Sequence, residues 1–356
     1  MHGSAGEPRE GSGAGPHGVI VIGGGQSGLA TAFYLLRAGI DVLVLDAGEA
    51  PGGSWREMWP SMTLFSTAEF SNLPGIPMPA YEGFPPASHV VDYLAAYEHR
   101  YAIPVERPVR VTRVEATGAA LSDGGRFRIH AETPDSPART WTADHVVAAT
   151  GTWSAPFVPA YPGRFHGKQW HSATYPGPDL FRGSSVAVVG GANSAAQIAA
   201  ELTRVAEVTW FTRGEPRWMP DDVDGRVLFH RNRQRMLAIL RGEGDPGADS
   251  ALGDIVMVPE VLAARDEGRL RATPMFYSLD ELSDAGVDHL IWCTGFRPAL
   301  QPIRGLLEGR EPTVPGLHLV GYGDWVGPGS ATITGLGPYA KATARAIAAD
   351  FGATVR

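Results

Sequence analysis

Two short glycine-bearing turns hold the residue types and spacings best suited to chemistry in this 356-residue sequence. The first, Gly23-Gly24-Gly25-Gln26-Ser27-Gly28, follows the apolar run Val19-Ile20-Val21-Ile22 and precedes Leu29, Phe33 and Leu36 at helical spacing, with Gly39 as the stop. Gly23 permits the sharp passage from strand to helix, Gly25 lets backbone N–H groups approach a pyrophosphate, and Gly28 lets helix and strand pack closely. Gln26 and Ser27 open the helix, whose positive end favours an anion. A second apolar run, Val42-Leu43-Val44-Leu45, ends at Asp46, 18 positions past Gly28, where a carboxylate meets the hydroxyl pair of an adenosine ribose and repels a 2′-phosphate. The first turn is therefore expected to take FAD or NAD and not NADP.

The second turn, Gly190-Gly191-Ala192-Asn193-Ser194-Ala195, sits between Val186-Ala187-Val188-Val189 and a helical pattern of Ile198, Leu202 and Val205. Ala192 and Ala195 replace the middle and last glycines, so a pyrophosphate is expected to sit slightly farther out. The following run, Val208 to Thr212, ends at Arg213, and a planar, permanently charged guanidinium suits a 2′-phosphate. NADPH is expected here in preference to NADH, whose acceptance stays open, as does the reading of Arg213 as a solvated strand-end cation. Arg217 and Arg226 are further candidates for the phosphate. One acid-ended unit and one Arg-ended unit describe a device that moves hydride from NADPH to a bound flavin.

Stepping these turns into place requires an α/β fold with two Rossmann-like dinucleotide-binding domains. Residues 1–17, rich in Gly, Pro, Ser and charge, read as a disordered leader. Residues 18–153 and 289–356 form the expected FAD-binding domain, and residues 154–288 the inserted NAD(P)H-binding domain. The Pro- and aromatic-rich stretch 51–86 is too irregular for a core element and long enough to be functional. A helix capped by Ser88 is expected to run to Tyr101, strands over 109–115, 126–131, 145–149, 287–294 and 316–321, and an Ala-rich helix over Tyr339 to Phe351. The region 226–247 reads as an Arg-rich helix followed by a Gly- and Asp-rich loop.

Composition narrows the function further. Hydrophobic residues make up 44% and charged residues 19%, which excludes wholesale disorder, and the net charge of −8 argues against nucleic acid and anionic membranes as partners. No run approaches the ~20 apolar residues of a membrane span, and a cytoplasmic protein is expected. The single cysteine, Cys293, excludes an intramolecular disulfide and a CxxC redox pair, so redox work needs a borrowed cofactor. Asp221, Asp222 and Asp224 lack the Gly and Glu of a calcium loop, and no metal is expected. The cations Arg226, Arg231, Arg233, Arg235 and Arg241 read as a solvated helix face.

Several further strings resemble one family. Gly52-Gly53-Ser54-Trp55, Ala149-Thr150-Gly151-Thr152-Trp153 and Gly323-Asp324 resemble the class B flavoprotein monooxygenases, which comprise the flavin-containing and Baeyer–Villiger monooxygenases. Phe165 to Tyr175 is similar to their linker signature FxGxxxHxxx followed by an aromatic, and Tyr175, where strict Baeyer–Villiger enzymes carry Trp, fits the flavin-containing version. The strings GGGQSGLA, ATGTWSAPFVP, PDDVDGRVLF, GDIVMVP, IWCTGFRPAL and LVGYGDW resemble a short bacterial branch that includes flavin monooxygenases encoded with arsenic-resistance genes.

The resemblance implies a glutathione-reductase-like arrangement in which the first fold holds FAD and the second NAD(P)H. Reduced flavin and O2 then give a C4a-(hydro)peroxyflavin that oxygenates a small ketone, in a Baeyer–Villiger reaction, or a sulfide or similar soft nucleophile. It assigns Gly53, Ser54, Trp55, Thr150, Gly151, Thr294 and Gly295 to cofactor binding, Asp324 after Gly323 to the flavin ribityl chain, and the N-terminus of the last helix to the flavin pyrimidine. His171 takes either a part in domain movement or a structural hydrogen bond, and Tyr175 joins it in the linker. The sequence departs from the eukaryotic-type enzymes at Leu64-Phe65-Ser66, where they place an Asn beside the flavin. Phe65 is expected in that place, with lower coupling of NADPH use to oxygenation. The stretch 271–288 is shorter than the branch implies, and Trp55, Trp59, Phe65, Trp325 and Tyr339 are candidates for an apolar pocket. The expected partners are a small-molecule substrate and O2, with a homodimer left open. Two alternatives are an uncoupled NADPH oxidase or flavin reductase, and a non-catalytic FAD-binding accessory protein in metal or arsenic resistance.

Overall fold

The computed structural model describes residues 17–118, 125–221 and 253–355, with residues 227, 234, 235, 237–239 and 241–244 between them. Most of the leader, together with Asp222, Asp224, Arg226, Arg231 and Arg233, lies outside the described residues.

The first sheet starts from the two apolar runs flanking the first turn. β1 (His17–Ile22) and β2 (Val42–Leu45) pair in parallel, with Val19, Ile20 and Val21 fully buried. Such continuous β-branched runs suit strands covered on both faces. β3 (Val105–Glu106) extends the sheet beyond β2, and β4 (Arg110–Ala116) and β5 (Phe127–Thr133) form an antiparallel meander with β6 (Ser136–Ala148). β6 serves two purposes. Its N-terminal half, with many exposed positions, pairs with β5, whereas its buried C-terminal end pairs in parallel with β1 on one side and β14 (Leu317–Leu319) on the other.

The second sheet is entirely parallel, in the order β10-β9-β8-β11-β7, from β7 (Lys168–His171), β8 (Ser185–Val189), β9 (Glu207–Thr212), β10 (Ala272–Pro274) and β11 (His289–Trp292). A small hairpin, β12 (Leu307–Glu308) with β13 (Glu311–Pro312), lies apart. The sheet membership of β11 moves one expected boundary. β11 pairs with β7 and β8, so the chain returns to the first unit near residue 294 and not at 289.

Six described helices are named here: α1 (Gln26–Arg37), α2 (Ala87–Arg100), α3 (Asn193–Leu202), α4 (Pro259–Asp266), α5 (Leu279–Asp284) and α6 (Gly337–Asp350). α1 and α3 start at the two glycine turns. α2 begins after Pro86 with no side-chain cap, so Ser88 does not serve as its cap. The segment 271–288, expected to be cut back, carries β10 and α5, the latter capped by Ser278 with Glu281 reaching back. No described helix is long and apolar enough to cross a membrane.

Candidate active site

The two turns occupy equivalent places in their sheets. Each follows a central strand at the point where the strand order reverses, the crevice where ligands bind in open α/β sheets. The local bonds match. Gly23 N–H donates to Leu45 O (2.8 Å) and Gly190 N–H to Phe211 O (3.0 Å), while Ala149 N–H donates to Ile22 O (2.9 Å) and Cys293 N–H to Val189 O (2.8 Å). A Cβ at Gly23, where φ is 109°, would lie 2.4 Å from Ala149 O, and one at Gly190 would lie 2.4 Å from Cys293 O.

The turns differ where the sequence departs from the glycine pattern. A Cβ on Gly28 would lie 1.9 Å from Gly23 O, so α1 starts against the turn itself. Ala195 holds the corresponding place in the second turn and keeps its methyl. Above Gly25 nothing stands within 4 Å of an added Cβ, which leaves the opening that a pyrophosphate needs at a helix N-terminus.

Around the first turn the structure gathers residues from across the chain. Gly53 abuts Gly25 Cα, Trp55 Nε1–H donates to Gln26 Oε1 (2.9 Å), and Gln26 Nε2 donates to Ala331 O (2.7 Å). Gly321 stands against Ser27, and half-buried Ser54 belongs to the single helical turn Gly53–Glu57. Thr150 Oγ1 donates to Ala299 O (2.7 Å) and receives the Tyr322 hydroxyl (2.7 Å), whose pKa burial pushes up to about 12. Gly151 O accepts from Ala299 N–H (2.9 Å). Gly323 O accepts from Ser330 Oγ (2.9 Å), and Asp324 beside it is exposed.

Asp46 is buried at the end of β2, and its Oδ2 accepts from Arg107 Nε at 2.8 Å. Arg107 in turn grips Glu98 on α2 with both terminal nitrogens, at 2.7 and 2.6 Å. The sequence reading missed this pair. Arg107 follows a strand of two residues, too short to show a period, and only its place at the end of the strand beside β2 signals it.

At the second turn, Asn193 Oδ1 accepts from Val256 N–H (2.8 Å), Ser194 is half-buried and Ala192 is exposed. Arg213 is exposed at the end of β9 and forms no ion pair with a described residue. Arg217, a further candidate for the phosphate, pairs with Asp254 through two bonds of 2.8 and 2.6 Å. Asp221 likewise pairs with Arg265 through bonds of 2.6 and 2.9 Å.

The chain crosses between the sheets as two paired segments. Phe157 N–H donates to Gly295 O (2.9 Å), Arg297 N–H to Ala155 O (2.8 Å) and Ala299 N–H to Gly151 O (2.9 Å), with Thr294 Oγ1 donating to Phe157 O. His171 Nε2–H also donates to Gly295 O (3.0 Å), and its Nδ1 accepts from Ala173 N–H (3.1 Å). Burial lowers the His171 pKa, partly offset by the Gly295 carbonyl, and the neutral ring matches both bonds. Tyr175 is buried, and its hydroxyl donates to Glu201 Oε1 (3.0 Å). Burial and then the Glu201 carboxylate push its pKa upward, so the phenol keeps its proton.

Phe65 is half-buried and packs on the core beneath the second sheet. Of the aromatics that were candidates for one pocket, Trp59 packs on that same core, Trp55 on the core around α1, and Trp325 on a third core that includes Phe127, Ile129 and Leu300, with Arg310 over its ring. Burial pushes the Cys293 thiol upward, away from the reactive thiolate.

Comparison with known proteins follows the same lines. The family model described as pyridine nucleotide-disulphide oxidoreductase matches residues 20–245. A two-residue variant of a flavin monooxygenase from Stenotrophomonas maltophilia is 43% identical, with 95% of this chain and 100% of that one covered and a TM-score of 0.81. An uncharacterized oxidoreductase, CzcO-like, from Geobacillus kaustophilus is 27% identical over 344 residues, 91% of this chain and 96% of that one. The bacillithiol disulfide reductase of Bacillus cereus, 21% identical with a TM-score of 0.69 over 94% of this chain and 99% of its own, shares the fold.

Proposed function

The chain belongs to the pyridine nucleotide-disulphide oxidoreductase family and, within it, to the flavin monooxygenases, and from that premise we propose an FAD- and NADPH-dependent monooxygenase acting on a small ketone, sulfide or similar soft nucleophile. The observation that carries this reading is the pairing of two switch-point turns in one chain, the first ended by buried Asp46 and the second by exposed Arg213. The residues present fit both nucleotides. The open space above Gly25 admits a pyrophosphate, Asp46 offers Oδ1 to a ribose, and Arg213 is available for a 2′-phosphate.

When bound, FAD supplies the two-electron chemistry, taking a hydride from the reduced nicotinamide and reducing O2 so that one oxygen atom enters the substrate and the other leaves as water. The chain's own groups bind and orient. Gly23, Gly25, Gln26, Ser27, Gly28, Gly53, Ser54, Trp55, Thr150 and Gly151 would form the FAD cradle, with Gly323 and Asp324 along its edge. Gly190, Ala192, Asn193 and Ser194 would hold the nicotinamide nucleotide, with Thr294 and Gly295 in the crossing between the two. His171 acts by holding Gly295 O, and Tyr175 by holding Glu201, and neither needs to exchange a proton for that task.

The family's disulphide chemistry does not fit this chain, because 356 residues with one cysteine offer no thiol pair. A second reading, an uncoupled NADPH oxidase, rests on the resemblance, which puts Phe65 where the eukaryotic-type enzymes carry an Asn, because an apolar ring donates no hydrogen bond to an oxygen intermediate. One experiment separates the readings. NADPH should bleach the flavin of the purified protein without oxygen, and with oxygen the panel of ketones and sulfides should yield oxygenated product. Bleaching with a product-to-NADPH ratio near zero favours the oxidase, and failure to bleach removes both. Arg213→Ala should raise the KM for NADPH far more than that for NADH, and equal effects would remove Arg213 from the phosphate.

A further inference from the structure

Residues 59–65 form a strap between the two units. On one side Leu64 N–H donates to Pro85 O (2.8 Å) and Ala87 N–H to Met62 O (3.1 Å), which fastens the strap to the start of α2. On the other side Trp59, 6% exposed, enters the core beneath the second sheet and meets Tyr175 edge-on, with ring centroids 6.3 Å apart. Glu201, in the last turn of α3, closes this side: its Oε2 accepts from the Ser61 hydroxyl and its Oε1 from the Tyr175 hydroxyl.

One carboxylate thus ties together three segments. α3 is rooted in the second glycine turn at Asn193, the Tyr175 segment follows directly on the His171 anchor of the crossing, and the strap carries Phe65 four residues after Ser61. Both hydroxyls donate to an ionised acceptor, the stronger class of hydrogen bond.

We propose that Glu201 is a positioning residue: a latch through which the helix of the nicotinamide-nucleotide turn holds the Phe65 strap and the linker in register, so that the two nucleotides meet in the geometry of hydride transfer. This rests on the proposed function for its redox consequence, but not for its mechanical one. Nothing in the role requires Glu201 to touch substrate or cofactor.

The test compares Glu201→Ala, Glu201→Gln and Ser61→Ala in the FAD-loaded protein. Amide hydrogen exchange should accelerate about tenfold over residues 59–65 and 173–176 in Glu201→Ala, with exchange in α1 unchanged. Glu201→Gln should restore most of the protection, because an amide meets both hydroxyls. In anaerobic mixing with NADPH, Glu201→Ala should slow flavin bleaching at saturating nucleotide about tenfold, while half-saturation moves less than about twofold, since Arg213 and the glycine turn are intact. Ser61→Ala, at an exposed position that folding tolerates, should shift both readouts in the same direction by a smaller factor. Unchanged strap exchange in both Glu201→Ala and Ser61→Ala overturns the latch, as does a wild-type bleaching rate in Glu201→Ala. If Glu201→Ala does not fold, Ser61→Ala decides by the same two readouts. A wild-type protein that NADPH cannot bleach sinks the proposed function, and the exchange measurements still decide the latch.

Discussion

Replacing Arg107 with Met keeps side-chain length and removes the cation from the most enclosed ion network described. The Asp46, Glu98 and Arg107 side chains are 10%, 15% and 10% exposed, and Arg107 makes three bonds of 2.6 to 2.8 Å to the two carboxylates. Without it, two acids face each other with little water to solvate them. Breaking such a buried pair by deleting one partner costs about 3–5 kcal/mol. For a chain of 356 residues, unfolding entropy at the midpoint is about 0.75 kcal/mol per degree, so this loss corresponds to a fall of about 4–7 °C in the apparent Tm. Melting should be followed by fluorescence on FAD-free protein, with FAD content read from visible absorbance after gel filtration. The second measurement addresses the proposed function, because Asp46 freed from Arg107 would no longer hold its carboxylate in one orientation for a ribose. Adding Glu98→Gln to Arg107→Met removes one stranded charge and should recover part of the Tm. Arg107→Lys should fall between, since a point charge lacks the fork that grips Glu98. An Arg107→Met protein that melts within about 1 °C of wild type and keeps its FAD would refute the reasoning, for it would mean that water reaches both acids.

Two further outcomes follow from the geometry. Gly28→Ala should abolish FAD retention and leave the protein largely insoluble, because its Cβ would lie 1.9 Å from Gly23 O, whereas Ala195→Gly should fold normally; equal FAD content in Gly28→Ala and wild type would sink this. Acid should destabilise the fold through its buried and half-buried histidines: desolvation lowers the pKa of His145, His171 and His289, and that of His318 to about 4. The unfolded chain then binds protons first, so this stability is complete above pH ~6.5 and is lost as pH falls toward the folded values, by up to about 3 kcal/mol for His318. His145 Nδ1 stands 3.4 Å from His318 Nε2, so the two titrate as a pair, and the urea midpoint of His318→Asn should depend less on pH between 6.5 and 4 than that of wild type; identical pH profiles would exclude the pair as a source.

The strand–turn–helix units were legible because three signals agree in each: a β-branched run buried on both faces, a turn needing small residues, and helical periodicity after it. Hence β1, α1, β2, β8, α3 and β9 stand where the pattern places them, and Asp46 and Arg213 stand at the two strand ends. Elements defined by their partners were not legible. β3 has two residues and β10 three, lengths at which no period exists. β11 looks the same in sequence whichever sheet it joins, and only its pairing with β7 and β8 assigns it. The Tyr175–Glu201–Ser61 contacts span 26 and 140 positions, and Glu201 lies in a helix pattern that gives an acid no special meaning. Arg217 shows the same limit, since its type and place near β9 are legible in the sequence and its pairing with Asp254, 37 positions away, is not.

The contrast between the two turns carries a physical consequence for how each nucleotide would be held. The first is enclosed by other parts of the chain: Gly53 from the segment after β2, the Trp55–Gln26–Ala331 chain of bonds, Gly321 against Ser27, and Asp46 fixed from behind by Arg107. The second turn has Ala192 exposed, no atom within 4 Å of a Cβ on Gly191, and Arg213 open to solvent. There a nucleotide, as proposed, would be held by backbone N–H groups and one screened cation, interactions that form and break without moving the chain. Under the proposed function this asymmetry suits a resident redox group at the first turn and an exchanging hydride donor at the second, since a donor held as firmly as the acceptor could not be replaced after each turnover. Helix and turn also pack more closely at the first site, where a Cβ on Gly28 would lie 1.9 Å from Gly23 O, than at the second, where Ala195 keeps its methyl in the equivalent place.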